Sequence, residues 1–256
     1  MTDGKQMTWI SHLEDLRRVI VVSTIALIVA TFASYFYSDQ LLALLQKPIS
    51  DMDIKLVFIG VGEGFFAKIK VSLYAGFVFS FPIIVWQIWR FVVPALYPQE
   101  RRYAMILVPV TVLLFICGVV FAYFTVFPIA IKFLLTVAGE LEPMISIGYY
   151  LSFCMSFLLP FGIVFEMPVV AMFLTRIGLI TPQLMASKRK YALLIIFIVG
   201  AVLTPGPDPV SQLLMATPMY LLYEISIIIS RFIKAKKKKA DDAAEAEFEA
   251  ETDRED

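Results

Sequence analysis

The sequence predicts an all-α membrane protein of six transmembrane helices with both termini on the cytoplasmic side, and three observations carry that prediction. Hydrophobic residues make up 59% of the 256 and mean hydropathy is +0.80, far above a soluble domain. The apolar residues gather into six runs separated by short polar pieces. Lysine and arginine are segregated. With the N-terminus inside, the cytoplasmic pieces hold 17 of the 22 basic residues, Arg90 included, and the opposite face holds five. That asymmetry sets an N-in, C-in orientation.

Residues 8–18 read TWISHLEDLRR, with Trp9, Ile10, Leu13 and Leu16 near helical spacing and Ser11 as a candidate N-cap. This segment is expected to be an amphipathic helix on the membrane face, leading into a first span over 19–37. The run lacks a small-residue cleavage site after it, so it reads as an uncleaved anchor. A polar segment, 38–70, balances four lysines against four acids and contains an alternating GVGEG, which no GK[ST] follows. It is expected to form an ordered extramembrane cap of short helices.

The second span is expected over 71–93, with Pro82 inside and Arg90 able to snorkel near its end. The third is expected over 104–127, bounded by Pro128. The fourth runs over 149–174 and carries Pro160, Glu166 and Pro168. A basic loop with Arg176, Lys188, Arg189 and Lys190 follows. The fifth run, 191–204, has only 14 residues. At about 1.5 Å per residue it covers about 21 Å against about 30 Å of hydrocarbon, a mismatch that thins a bilayer locally. A TPGPDP turn leads to the sixth span, 210–230. The organisation is thus a cytoplasmic N-terminal segment, 1–18, a six-helix membrane domain, 19–230, and a charged tail, 231–256. The tail has the composition of disorder, and its lysines 236–239 suit anionic headgroups.

Several functions are excluded or disfavoured. Nine of the 22 acidic residues lie after Ala240, so the body is basic, but its basic residues edge apolar spans and make no nucleic-acid surface. His12 is the only histidine, which excludes a multi-histidine metal site and argues against a histidine triad. Cys117 and Cys154 fall inside spans as packing residues. No nucleophile and base stand at matching depth, so no catalytic residue, metal or cofactor is expected. A proton-coupled transporter would need more than one deep carboxylate, and no inverted repeat is visible.

The sharpest chemical signal is Glu166, in the body of the fourth span. A charge at such a depth costs about 2.5–3.5 kcal/mol on insertion scales. It is therefore protonated in apolar surroundings, hydrogen-bonded to another helix, or placed to meet a polar ligand. Glu224 is a weaker case, close enough to the interface to reach it. Asp208 suits the start of the sixth helix. Ser211 and Gln212 are able to hydrogen-bond either within the chain or to a partner's transmembrane helix. The second signal is the stretch 91–102, FVVPALYPQERR, in which Glu100 stands among positive charges beside a membrane face. Prolines 94 and 98 keep it from fusing its neighbours into one helix.

Residues 12–17, HLEDLR, and the stretch 91–102 together resemble TatC, the large subunit of the twin-arginine protein translocase. The resemblance continues through AYFTVFP at 122–128, FEMP at 165–168, LTP at 203–205, SQ at 211–212 and PMYLLYEISI from Pro218. It implies six helices in a concave, glove-like arrangement, no enzymatic activity, and a receptor for twin-arginine signal peptides of folded precursors, driven by the proton-motive force. It also implies location in the cytoplasmic membrane, self-association, and partnership with the single-span TatB and TatA subunits. The family's HLxELR acid aligns with Asp15, one methylene shorter, and its Pro-x-Leu-Tyr-x-x-Glu-Arg pattern falls on Pro94, Leu96, Tyr97, Glu100 and Arg101. The implied signal-peptide site is Asp15 and Glu100 with His12, Leu16, Arg17, Phe91, Pro94, Tyr97 and Arg101. Glu166 matches the family's intramembrane glutamate, and Ser211, Gln212 and Asp208 are the implied contacts for a partner helix. The turn before the sixth helix departs from the usual LTPPD by one inserted residue, which bears on Asp208. Independently, two guanidinium groups need acceptors with paired oxygens, and carboxylates supply bidentate, charge-assisted bonds that lysine does not exploit.

Overall fold

The computed structural model describes the backbone of residues 9–93, 98–139, 143–203 and 209–255, and side chains over 13–93, 107–139, 143–203 and 209–236. The chain divides into two compact units, Met1–Gly162 and Ile163–Asp256. Among the described residues five helical stretches are long and apolar enough to cross a membrane; α9, described below, falls short of that length.

In the first unit the N-terminal segment and the first span form one helix, α1 (Trp9–Tyr35). Its residues Ile25, Ile28, Val29 and Phe32 are exposed, as expected of a surface solvated by lipid. A short helix, α2 (Ser38–Ser50), buries Leu42, Leu45 and Ile49 on one stripe. The cap is not purely helical: β1 (Leu56–Val57) pairs in parallel with β2 (Ile145–Ser146). α3 (Glu63–Val92) starts eight residues earlier than the apolar run suggests. Its early lysines are accommodated by polar partners, Lys68 by Asp39 at 2.7 Å and Lys70 by Ser152 at 3.2 Å. α3 lies hard against α1. A Cβ built at Gly76 would stand 2.6 Å from the Thr31 backbone nitrogen, so only glycine permits this approach.

The third span also outruns its expected end. α4 (Pro98–Phe121) passes through a π-helical turn, Ala122–Val126, into α5 (Phe127–Ala138). The Phe127 amide reaches five residues back to the Ala122 carbonyl. This wider turn stands directly before Pro128, whose ring and missing N–H would otherwise strain an α-helical ladder. A second proline has a visible compensation. Pro48 inside α2 cannot donate to the carbonyl of Leu44, and the Tyr123 hydroxyl donates to it instead at 2.7 Å. Tyr150 donates to the next carbonyl, Leu45, at 2.6 Å. α6 (Ile147–Val164) completes the unit. Its core is aromatic: Phe81 stacks on Phe115 with ring centroids 3.6 Å apart, and Phe127, Phe157 and Phe161 are fully buried.

The second unit holds α7 (Met167–Arg176), α8 (Pro182–Ser187), α9 (Arg189–Leu203) and α10 (Pro209–Glu255). Gly178, at φ 81°, closes α7, and Thr181 caps α8 by accepting from the Leu184 amide. Ile196, Ala216 and Met219 form the core between α9 and α10. α9 has 15 residues, about 22 Å. The backbone of α10 continues as helix through the lysine run and the acidic tail, where composition suggests disorder. Alanine, glutamate and lysine are strong helix formers, and local propensity is enough to extend a helix already nucleated by the sixth span.

Candidate functional site

Asp15 lies on the second turn of α1, exposed between Glu14 and Leu16. Glu14, Asp15, Arg17, Arg18 and Val21 line an open recess of about 420 Å³. Two acids and two guanidinium groups meet here beside the exposed Leu13 and Leu16, so the surface offers charge and apolar contact together. Phe91, half-buried in the last turn of α3, and the exposed Arg90 belong to the same end of the unit.

Glu100 and Arg101 lie in the first turn of α4, which opens at Pro98. Proline at a helix start fits because its missing N–H needs no partner there, and an acid in the first turn complements the helix dipole. Their side chains and that of His12 fall outside the described residues, as do Pro94, Tyr97 and Asp208 entirely. The helix registers nevertheless fix levels along the unit. α3 returns beside α1 with Gly76 against Thr31. Sixteen residues along each helix from that contact, about 24 Å, Asp15 is level with Val92. On the other side, the Phe81–Phe115 stack puts Val92 level with Ala104, and Glu100 stands about one turn beyond. The two acids therefore share one end of the α1–α3–α4 bundle on separate elements.

Glu166 stands where the fourth span breaks. α6 ends at Val164, and Glu166 is the residue before α7, with Pro168 just inside that helix. The break follows from Pro168, which cannot supply an amide to the carbonyl of Val164. Glu166 is half-buried, and its Oε1 is sealed from solvent. Ser211 is wholly buried in α10, and the Gln212 side chain donates to the Phe197 carbonyl of α9 at 2.9 Å. The Gln212 side chain thus serves the chain's own α9–α10 packing.

Two polar centres escaped the sequence reading. Arg189, the first residue of α9, makes a fork-shaped pair with Glu224 of α10, Nε to Oε1 at 2.6 Å and a terminal nitrogen to Oε2 at 2.9 Å. Tyr220 donates to the same carboxylate at 3.1 Å. The Tyr220–Glu224 spacing of four residues was a local signal, but the arginine lies 35 residues away. The other centre is Glu63. One of its oxygens accepts from the Ile59 and Gly60 amides, and the other from the Gly148 amide and the Ser146 hydroxyl. This carboxylate ties the loop after β1 to β2, α3 and α6. Among the described residues no group of three or more histidine, cysteine, aspartate or glutamate side chains is placed to hold a metal ion.

Comparison with known proteins agrees with the arrangement of helices. The family model described as Sec-independent protein translocase protein (TatC) matches residues 11–218. A TatC of Carboxydothermus hydrogenoformans is 49% identical over 92% of this chain and 97% of its own length. One from Aquifex aeolicus is 40% identical over 89% and 96%. A crystal structure described as the twin arginine translocase receptor TatC superimposes with a TM-score of 0.81 at 38% identity, covering 87% of this chain and 99% of that one. A second structure of that receptor, in the detergent DDM, gives 0.80 at 40% identity. On the extent of these matches, the chain belongs to the TatC family of multi-spanning membrane proteins.

Proposed function

We infer that this chain is the receptor subunit of a twin-arginine translocase, a transport protein rather than an enzyme. It binds the signal peptides of folded precursors at the end of the bundle that carries Asp15 and Glu100. The observation that carries the reading is the shared level of those two acids on α1 and α4, in a chain of this family. Each carboxylate accepts a guanidinium bidentately, and two such acceptors at one level read a pair of arginines where lysine would forfeit the fork. His12, Leu16, Arg17, Phe91, Pro94, Tyr97 and Arg101 surround the acids in sequence and supply stacking, apolar contact and the local charge. Glu166, at the broken fourth span, is assigned to the passage of the peptide's apolar part.

Both termini face the cytoplasm in this reading, following the basic residues. TatB and TatA, further copies of this chain and membrane lipids are the partners. A single-span partner would meet α9 and the start of α10 near Asp208, Ser211 and Gln212. Because Ser211 and Gln212 turn inward, their exposed neighbour Leu213 supplies the contact surface.

The test is site-specific photocrosslinking from positions 15, 100 and 166 to a twin-arginine precursor, paired with Glu100→Gln. Crosslinks at all three positions, lost on an Arg→Lys exchange in the peptide and on Glu100→Gln in a folded protein, are the expected result. A Glu100→Gln variant that crosslinks like wild type would remove Glu100 from the site.

A further inference from the structure

α9 is too short to span a bilayer, and the second unit shows at which end the shortfall falls. α7 and α10 reach the same level together, because Thr175 and Ser230 share a buried 2.6 Å hydrogen bond. The next residue on each helix, Arg176 and Arg231, marks the polar boundary on that side. α9 stops short of it. Arg189 is level with Glu224, to which it is clamped, seven residues before Arg231 on α10 and therefore about 10 Å deeper. Between those levels α10 presents the exposed apolar residues Ile225 and Ile228, a surface solvated by acyl chains.

α8 carries the chain down from the boundary to this depth. At its upper end Lys234 donates to Gln183 at 3.0 Å, in its middle Tyr223 donates to the Met185 carbonyl at 2.8 Å, and just past its lower end stands Arg189. Three consecutive cations, Lys188, Arg189 and Lys190, are thus delivered about 10 Å below the level of Arg231. Arg189 is satisfied by Glu224. Lys188 and Lys190 are exposed, and both ammonium groups converge on the Tyr191 ring, each 5.2 Å from its centroid. Cations held at such a depth need water or anions drawn to them.

We propose that Lys188, Lys190 and Tyr191 form a binding site for the headgroup phosphate of an anionic phospholipid, which is pulled inward there so that the leaflet is depressed at the α8–α9 junction. Charge complementarity selects an anionic lipid over a zwitterionic one, and the acyl chains remain against Ile225 and Ile228. The site places the bilayer's adjustment to the short α9 in one leaflet, at a named point.

The test uses the full chain, purified in detergent, with lysines 236–239 replaced by glutamine in every arm to silence the tail. Native mass spectrometry reads lipid retained on titration with phosphatidylglycerol, phosphatidylcholine or inorganic phosphate. The expected result is one tightly retained phosphatidylglycerol, reduced about thirtyfold in apparent affinity by the double variant K188Q/K190Q and restored by K188R/K190R, the size expected for two lysines near an anionic surface. Retention unchanged in K188Q/K190Q overturns the proposal. So does equal retention of phosphatidylcholine, or displacement of the lipid by inorganic phosphate at equal concentration, which would indicate a free-anion site. Arginine failing to rescue would equally overturn it, since the site is then not one of charge.

Discussion

Removing the Tyr123 hydroxyl should destabilise the protein only because of a proline 75 positions earlier. In a regular helix the carbonyl of Leu44 would accept from the amide of residue 48, but that residue is Pro48 and the Tyr123 hydroxyl takes its place at 2.7 Å. Tyr123→Phe therefore leaves an exposed-site carbonyl without any donor from the protein, at a cost of about 1.5 kcal/mol, the upper end for a single hydrogen bond. Pro48→Ala supplies the missing amide within α2. In that background Tyr123→Phe forfeits only a redundant bond, about 0.5 kcal/mol. The two substitutions should thus be coupled by about 1 kcal/mol, above the scatter of independent sites. Denaturant unfolding of the detergent-solubilised protein, followed by circular dichroism, measures the four corners of the cycle. Equal costs of Tyr123→Phe in both backgrounds, within about 0.5 kcal/mol, would refute the compensation.

Gly76→Ala should cost about 1–3 kcal/mol, because a Cβ there meets the Thr31 backbone at 2.6 Å and the helices must part. Gly60→Ala, whose Cβ would find its nearest neighbour at 4.0 Å, should be close to neutral in the same unfolding assay. Arg189→Lys keeps the charge but forfeits the fork onto Glu224, so hydrogen exchange across residues 183–192 should quicken while that of α1 and α3 stays unchanged. Unaltered exchange in that segment would mean the pair does not hold α9.

Much of this architecture was legible in the sequence because membrane crossing leaves a periodicity-independent signal, a long apolar run with basic edges. The six runs and the shortness of the fifth follow from that, whereas the fourth run, read as one span over 149–174, breaks between Val164 and Met167 because Pro168 cannot continue the ladder. Span boundaries were less legible. The start of α3 was hidden by Lys68 and Lys70, whose partners Asp39 and Ser152 belong to other elements. Pro128 suggested an end to the third span, but a π-helical turn absorbs it. The Arg189–Glu224 pair and the ligands of Glu63 were invisible for one reason: each joins residues remote in the chain, and no local pattern encodes such a pairing. For the candidate site, sequence supplied the residue types and the registers of α1, α3 and α4 supplied the shared level of Asp15 and Glu100.

The carboxylate of Glu63 also sets an order of events during biogenesis. Its partners Ser146 and Gly148 lie 83 and 85 positions further along, so a ribosome that has delivered α3 has not yet made them. This end of the first unit stays unlocked while the first three spans are made, and it locks only as the fourth begins to emerge. A chain truncated before residue 146 is left with the carboxylate half-engaged, which makes this end of the molecule a natural checkpoint for complete insertion.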